Sequence, residues 1–117
     1  MGGKMIDSCA FGSIVIDGTR YGSDLIIYPD GHIEDHWWRK SGHRLSPGDI
    51  EKLIKSEPEV IVAGTGVSGQ MRPDKELEKL LRDKGIELIS EPNQEAIKIY
   101  NKLAPGRKLG ACFHLTC

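Results

Sequence analysis

The sequence predicts an α/β fold with three layers, in which helices cover both faces of a central mixed, mostly parallel sheet and an antiparallel hairpin precedes it. Helix-like and strand-like segments alternate from residue 46 onward, which is typical of crossover units and parallel pairing. The first third instead contains short apolar runs broken by turn residues, which indicates antiparallel strands. Because 117 residues suit one domain, we treat residues 1–117 as a single α/β domain.

Two strands and a weaker candidate are predicted in the N-terminal third. Residues 13–16 form a short apolar run, and the Asp17-Gly18 pair after it is a hairpin-type turn signal. Residues 25–28 predict the second strand, and residues 32–38 are a weaker candidate for a third. These segments predict the antiparallel hairpin.

Three helices and three strands are predicted to follow. The run over residues 60–63 has no polar alternation, so we expect a strand that is buried on both faces. In such a sheet a pocket is expected at the carboxyl ends of the parallel strands. The predicted elements are a helix opened by Ser46-Pro47, a strand over 60–63, a helix from about Pro73 to Gly85, a strand over 86–89, a helix from Asn93 to Pro105-Gly106, and a strand over 109–115.

Composition excludes several classes of function. With 16 basic and 17 acidic side chains the formal charge is −1, so no large positive field is available to attract nucleic acid. No apolar run approaches the length of a membrane span, and the N-terminus lacks the apolar core of a secretory signal. The odd number of cysteines, three, argues against a disulfide framework and predicts a reducing, cytoplasmic setting.

The segment from Gly64 to Gly69 matches the G-x-G-x-x-G pattern of dinucleotide-binding folds. A P-loop is excluded because Gln70 and Met71 replace the lysine and hydroxyl residue that it needs. For a dinucleotide, Glu91 follows about 20 residues later, where a ribose-binding acid would lie. However, Pro73 predicts that the helix begins too late for its N-terminus to face a pyrophosphate.

We therefore expect a wide turn rather than a cofactor site, and we predict no cofactor. A loop whose free N–H groups hold a small anion or polar ligand remains the alternative. The candidate ligand-binding residues are Gly64, Thr65, Gly66, Ser68, Glu91 and Asn93.

Two further groups of residues are candidates for function. Trp38, Arg39 and His43 combine an aromatic ring with cations and could bind a partner; the alternative is that one of the two tryptophans covers the core while Arg39 lies in solvent. Cys112, His114 and Cys117 are candidates for thiol chemistry, and Cys112 and His114 share a face of the last strand. Packing against a helix is the alternative for this pair. We predict no metal site and assign no catalytic residue.

Five stretches, spread over nearly the whole chain, form a recognisable set: GHIEDHWWRKSGHRLSPGD, VIVAGTGVSG, KGIEL, EAIKIYN and GACFHLTC. Together they resemble the small family of adipogenesis-associated Mth-domain-containing proteins, formerly grouped only as a domain of unknown function. The most specific parts are Trp38-Arg39, Gly64-x-Gly66, Tyr100-Asn101 and Phe113-His114-x-Thr116-Cys117.

The resemblance implies a three-layer α/β fold, no established enzymatic activity and no assigned catalytic residue. Some members are linked to adipocyte differentiation, and a more distant mitochondrial relative assists assembly of respiratory complex I. Those roles imply binding to proteins rather than turnover of a metabolite. The resemblance also implies that the family loop is Gly64-x-Gly66-x-Ser68, since the position of Gly69 is not kept as glycine.

These observations favour a non-catalytic protein-binding or assembly-type factor in the cytoplasm, without nucleic-acid or membrane partners. The alternative is a small-ligand or nucleotide-binding enzyme that uses the loop from Gly64 to Ser68. Whether the chain is an enzyme is left open, as are its partner and its oligomeric state.

Overall fold

The structure, a computed structural model, describes residues 4–116. The strands are β1 (Ile6–Ala10), β2 (Ser13–Ile16), β3 (Thr19–Tyr21), β4 (Leu25–Ile27), β5 (Ile33–Asp35), β6 (Arg44–Leu45), β7 (Val60–Gly64), β8 (Arg72–Pro73), β9 (Glu87–Glu91) and β10 (Leu109–Phe113). The helices are α1 (Glu51–Lys55), which continues the 3-10 helix Pro47–Ile50, then α2 (Lys75–Asp83) and α3 (Asn93–Leu103). Within residues 4–116, no helix is long and apolar enough to cross a bilayer.

A central five-stranded sheet in the order β5-β4-β10-β7-β9 organises the molecule. β7 pairs in parallel with both β10 and β9, whereas β4 pairs antiparallel with β10 and with β5. The predicted mixed sheet is therefore confirmed, but it is not mostly parallel as predicted, since two of its four pairings are parallel and two are antiparallel.

The N-terminal antiparallel unit is a separate three-stranded sheet in the order β1-β2-β3. The turn at Asp17-Gly18 joins β2 to β3, with φ angles of 49° and 81° that suit a hairpin turn. The strand predicted over residues 25–28 does not belong to this hairpin. It is β4 of the central sheet, because all three of its side chains are buried and need cover on both faces.

Two apolar cores lie on opposite faces of the central sheet and give the three layers. On one face, α3 and the small sheet pack against alternate residues of β7, including Val60 and Val62. On the other face, α1 and α2 pack against Ile61 and Ala63. All of β7 is buried, which confirms the prediction of a strand covered on both faces.

The second helix begins at Lys75, two residues later than predicted. Arg72 and Pro73 are instead extended as β8, which pairs in parallel with β6. The helix ends near Gly85, whose φ of 74° is the left-handed conformation expected at a helix C-terminus. The third helix starts at Asn93 as predicted.

Candidate functional site

The glycine loop, the start of α3 and the end of the chain meet at the carboxyl edge of the central sheet. After β10 the chain is held there by backbone hydrogen bonds from His114 N–H to the Gly64 carbonyl at 2.9 Å and from Val67 N–H to the Thr116 carbonyl at 2.8 Å. The Gly12 N–H donates to the Leu115 carbonyl at 2.8 Å. This edge is the place where α/β sheets usually carry a site.

The glycine loop uses its own N–H groups for internal hydrogen bonds. Thr65 N–H donates to the Glu91 carbonyl at 2.9 Å, and Gly66 N–H donates to the side-chain oxygen of Asn93 at 3.0 Å. The Asn93 amide nitrogen in turn donates to the His114 carbonyl at 2.8 Å. Gly64, Thr65, Gly66 and Asn93 are buried, while Ser68 and Glu91 are exposed. The candidate ligand-binding residues are thus brought together, mainly by bonds to one another.

Close packing explains why Gly64 is a glycine. A methyl group at this position would overlap the ring of Phe113 and would lie 2.6 Å from Oδ1 of Asn93. Gly66 and Gly69 have φ angles of 113° and 71°, so they allow turns that other residues adopt poorly. Since α2 begins only at Lys75, Gly69 lies outside the helix, as predicted from Pro73.

Asp24, Arg39 and His114 form a largely buried polar cluster at the same edge. Oδ2 of Asp24 lies 2.8 Å from Nη1 of Arg39 and 2.8 Å from Nδ1 of His114. Its Oδ1 accepts the Leu115 N–H at 2.8 Å. The side chains of Arg39 and His114 are only 5% and 8% exposed, against 20% for Asp24. The carboxylate therefore joins β4 to the segment before β6 and to the end of the chain.

The contacts of Nδ1 of His114 suit two tautomers. This nitrogen also lies 2.9 Å from Nη2 of Arg39, but a guanidinium can only donate and an ionised carboxylate can only accept. In the tautomer with the proton on Nδ1, this atom donates to Asp24, and Nη2 of Arg39 bonds to the Gly42 carbonyl at 3.0 Å. The same tautomer leaves Nε2 as an acceptor 3.5 Å from Oγ1 of Thr116.

Burial acts to raise the pKa of Asp24, but its hydrogen bonds with His114, the Leu115 N–H and Arg39 outweigh burial and hold the pKa below its usual value. Asp24 therefore carries a full negative charge at neutral pH. This charge lies beside a permanent cation, which makes the cluster an ion pair inside the fold.

The two neighbouring tryptophans face opposite ways. Trp37 is buried, its Nε1 donates to the Asp49 carbonyl at 2.8 Å, and the Arg39 guanidinium lies 4.7 Å from the ring centroid. Trp38 is 77% exposed. His36, just before them, has a φ of 54°, and this sharp turn is held by a 2.8 Å bond from its N–H to Ser23 Oγ.

The three residues predicted to bind a partner therefore occupy different environments. Trp38 and His43 are exposed, and the His43 ring lies 6.2 Å from that of His114. The Arg39 side chain does not lie on the surface, because its guanidinium is bound to Asp24 and is only 5% exposed. The alternative expectation is that one tryptophan covers the core while Arg39 lies in solvent. Trp37 is buried in the core as this alternative requires, but Arg39 is not in solvent.

The thiol candidates do not form a reactive pair in the described structure. Cys112 is fully buried on the α1/α2 side of the sheet, and burial raises its pKa to about 12. A thiol with this pKa is almost entirely protonated at neutral pH and is a poor nucleophile. Cys117 lies outside the described residues.

Two open grooves lie away from the glycine loop. One of about 750 Å³ runs between α1 and α2 at the opposite edge, where β7 and β9 begin, and is lined by residues such as Ile54, Leu80 and Ile86. A smaller groove of about 310 Å³ is bordered by Trp38 and by the turn that precedes α1.

Comparison with known proteins identifies the family to which this chain belongs. Residues 6–114 match the family described as Protein of unknown function (DUF498/DUF598). The chain belongs to this family. This DUF498/DUF598 protein is 32% identical to the conserved hypothetical protein PH1505 from Pyrococcus horikoshii OT3. The two structures have a TM-score of 0.82 over 96% of this chain and 98% of that chain.

Two other solved structures are similar to this DUF498/DUF598 protein. The protein named MT938 is 30% identical, with a TM-score of 0.79 over 97% of this chain and 99% of that one. A Bordetella pertussis protein, described as a Mth938-like domain, is 21% identical, with a TM-score of 0.67 over 94% of this chain and 84% of that one, and it supports the fold alone. The Mth-type fold inferred from the resemblance is confirmed, whereas the narrower adipogenesis-associated group stays a proposal.

Sequence reasoning about this DUF498/DUF598 protein missed Asp24 and Thr116. Asp24 directly precedes the fully buried strand β4, and a carboxylate in that position could have drawn attention. Its partner His114 lies 90 residues away, so no local spacing links the two. Thr116 gains interest only because its hydroxyl lies near His114.

Proposed function

We propose that this domain is a non-catalytic protein-binding or assembly-type factor whose contact surface is centred on Trp38. The observation that carries the proposal is a large indole, 77% exposed, on a segment whose neighbours are firmly held. Trp37 is anchored through the Asp49 carbonyl and Arg39 through Asp24, so little freedom is lost when a partner covers Trp38. Tryptophan is among the residues that dominate binding energy at interfaces.

Three further observations support a binding role in the cytoplasm. The N–H groups of Thr65 and Gly66 are already bonded within the protein, which favours a structural role for the glycine loop. The thiols of Cys9 and Cys112 are free, which supports a reducing compartment. The likeness to adipogenesis-associated Mth-domain-containing proteins also points to protein contacts.

The test compares two exposed aromatic residues. Tagged wild type, Trp38→Ala and Phe11→Ala are used to capture proteins from native lysate, and the captured proteins are quantified by mass spectrometry. Phe11 is a matched control because it is 70% exposed on the turn between β1 and β2. We expect specific partners to fall at least tenfold with Trp38→Ala and to remain with Phe11→Ala, since a central interface tryptophan is worth about 2 kcal/mol or more. Equal partner sets for all three proteins would refute the proposal.

A second candidate function is favoured by the polar cluster at the carboxyl edge. In the tautomer with the proton on Nδ1, Nε2 of His114 is a base near the Thr116 hydroxyl, and the loop from Gly64 to Ser68 lies beside it. This is the arrangement that a small-ligand or nucleotide-binding enzyme would need, with Glu91 or Asn93 as further contacts.

Thermal unfolding with NAD, NADP, FAD, ATP or inorganic phosphate tests this candidate. A ligand present at 100 times its dissociation constant stabilises the folded state by about 2.7 kcal/mol, and His114→Gln should abolish the shift. No shift with any of these ligands would remove nucleotides and phosphate from consideration.

A further inference from the structure

The groove beside Trp38 has an excess of negatively charged side chains in its lining. Three carboxylates line it, those of Glu34, Asp49 and Glu51, against the single ammonium of Lys52. Glu51 lies 3.3 Å from Lys55, but both side chains are more than half exposed, so this pair neutralises little. Within residues 4–116, Glu34 and Asp49 form no ion pair.

The hydrogen bonds of Glu34 and Asp49 come from neutral donors and therefore leave their charges in place. The Tyr28 hydroxyl donates to Oε1 of Glu34 at 2.6 Å. The N–H groups of Lys40 and Ser46 donate to the two oxygens of Asp49 at 3.2 Å and 2.8 Å. Burial, and then the hydrogen bond and negative charge of Glu34, raise the pKa of Tyr28. Both carboxylates are partly buried, where their field is less screened by water than on an open surface.

The volume of the groove and its aromatic wall suit a long cationic side chain. A volume of about 310 Å³ is at the lower limit for ligand pockets and suits one long side chain. The face of an indole attracts cations, and arginine uses this attraction more often than lysine. The same segment already contains such a contact, because Arg39 lies 4.7 Å from the ring centroid of Trp37.

We infer that the Trp38 groove receives a cationic side chain, arginine or lysine, presented by the partner protein. The inference rests on the proposed function and adds the chemistry of the partner. In the complex the cation lies against the Trp38 indole, while Glu34 and Asp49 supply the opposite charge. A partner surface rich in carboxylates is excluded by like-charge repulsion.

A small-molecule titration followed by ¹H–¹⁵N NMR tests the inference without a known partner. The probe is n-butylguanidinium, and the neutral control is n-butylurea, which has a similar size and shape. We expect saturable shifts of the Trp38 indole N–H with the guanidinium, weakening with added salt, and none with the urea. The Trp37 indole N–H should shift less, since it is bonded to the Asp49 carbonyl. Absent or equal shifts with the two probes would overturn the inference.

Matched variants assign the binding to this groove. Trp38→Ala should weaken n-butylguanidinium binding about 2–5-fold, as expected for an exposed cation–aromatic contact. Glu34→Gln keeps an oxygen that can accept the hydrogen bond from the Tyr28 hydroxyl, and it should weaken binding about twofold or more. Glu78→Gln, an exposed position on α2, should leave binding unchanged. Equal binding by Glu34→Gln and wild type, both with unchanged thermal unfolding, would contradict the inference.

The failure of this inference can be told apart from failure of the proposed function. If Trp38→Ala loses its captured partners while Glu34→Gln and Glu51→Gln keep them, the binding role stands and the cationic occupant is wrong. If n-butylguanidinium binds in the groove while Trp38→Ala keeps every partner, the groove binds cations and the binding surface for proteins lies elsewhere.

Discussion

At the scale of single residues, Asp24 joins parts of the chain that are far apart in sequence. Its carboxylate binds the Arg39 guanidinium, the His114 ring and the Leu115 N–H. Arginine is a permanent cation, so removal of the carboxylate leaves a charge in a nearly buried place. We expect the position of Trp38 to depend on this ion pair, because the next residue, Arg39, is bound to Asp24.

We expect Asp24→Asn to lower the free energy of unfolding by about 3 kcal/mol, since breaking a buried ion pair on one side leaves the other charge uncompensated. Urea unfolding measures the change. Asp35→Asn is the control, because Asp35 is half exposed and its contact with the exposed His36 is long, at 3.9 Å. The control should change stability by no more than about 0.5 kcal/mol. Equal effects of the two substitutions would show that the cluster is not stabilising.

At the scale of elements, the loop after β7 is shaped by packing between a strand and a helix. Gly64 lies against Phe113 of β10, and Asn93, the first residue of α3, bonds both Gly66 and His114. The loop is therefore continuous with the core. Its glycine pattern matches a nucleotide fingerprint, but each described role of these glycines is a close approach or a turn.

Gly64→Ala should destabilise the fold by about 2 kcal/mol, because the added methyl group must displace the Phe113 ring and the Asn93 oxygen. The free energy of unfolding and the exchange rate of the Gly66 amide hydrogen would measure the effect. Gly48→Ala provides the matched control, since a methyl group there would meet no atom within 4 Å. A Gly64→Ala protein as stable as the Gly48→Ala protein would contradict this account of the loop.

At the scale of the whole molecule, acidic groups in ion pairs make stability depend on pH. Burial acts to raise the pKa of Asp24, but its hydrogen bonds outweigh burial and lower the pKa below the ordinary 3.8. Hydrogen bonds from Ser46 and then Arg44 lower the pKa of Asp74 below the same value. Between the folded and unfolded pKa values the unfolded chain binds more protons. The stability they contribute is therefore complete above pH 3.8 and is lost as the pH falls below it.

We expect the free energy of unfolding of the wild type to fall steadily as the pH is lowered below about 4. The free energy of unfolding of Asp24→Asn should be lower than that of the wild type at neutral pH. It should also fall less at acidic pH, because one of the groups that takes up a proton on unfolding is gone. Urea unfolding at a series of pH values measures both curves. Parallel curves for the two proteins would mean that Asp24 has the same pKa in both states.

The sequence by itself determined where most elements lie and which faces they bury. The unbroken apolar run 60–63 required burial on both faces, Pro73 excluded a helix within the glycine loop, and Asn93 marked the start of the last helix. These features depend on local sterics and on the periodicity of apolar side chains, which a single chain displays directly. The same local rules failed for β1 and β3, whose polar residues gain strand structure only from their neighbours in the small sheet.

Only the tertiary structure decided how the elements pair and what forms the site. β4 joins β10 rather than the hairpin beside it in sequence, and Asp24 meets His114 across 90 residues. Trp37 and Trp38 are adjacent and identical in type, yet the turn at His36 and the Asp24–Arg39 pair bury one and expose the other. The physical reason is that such contacts arise when the two cores close on the central sheet, and spacing along one sequence carries no record of that closure.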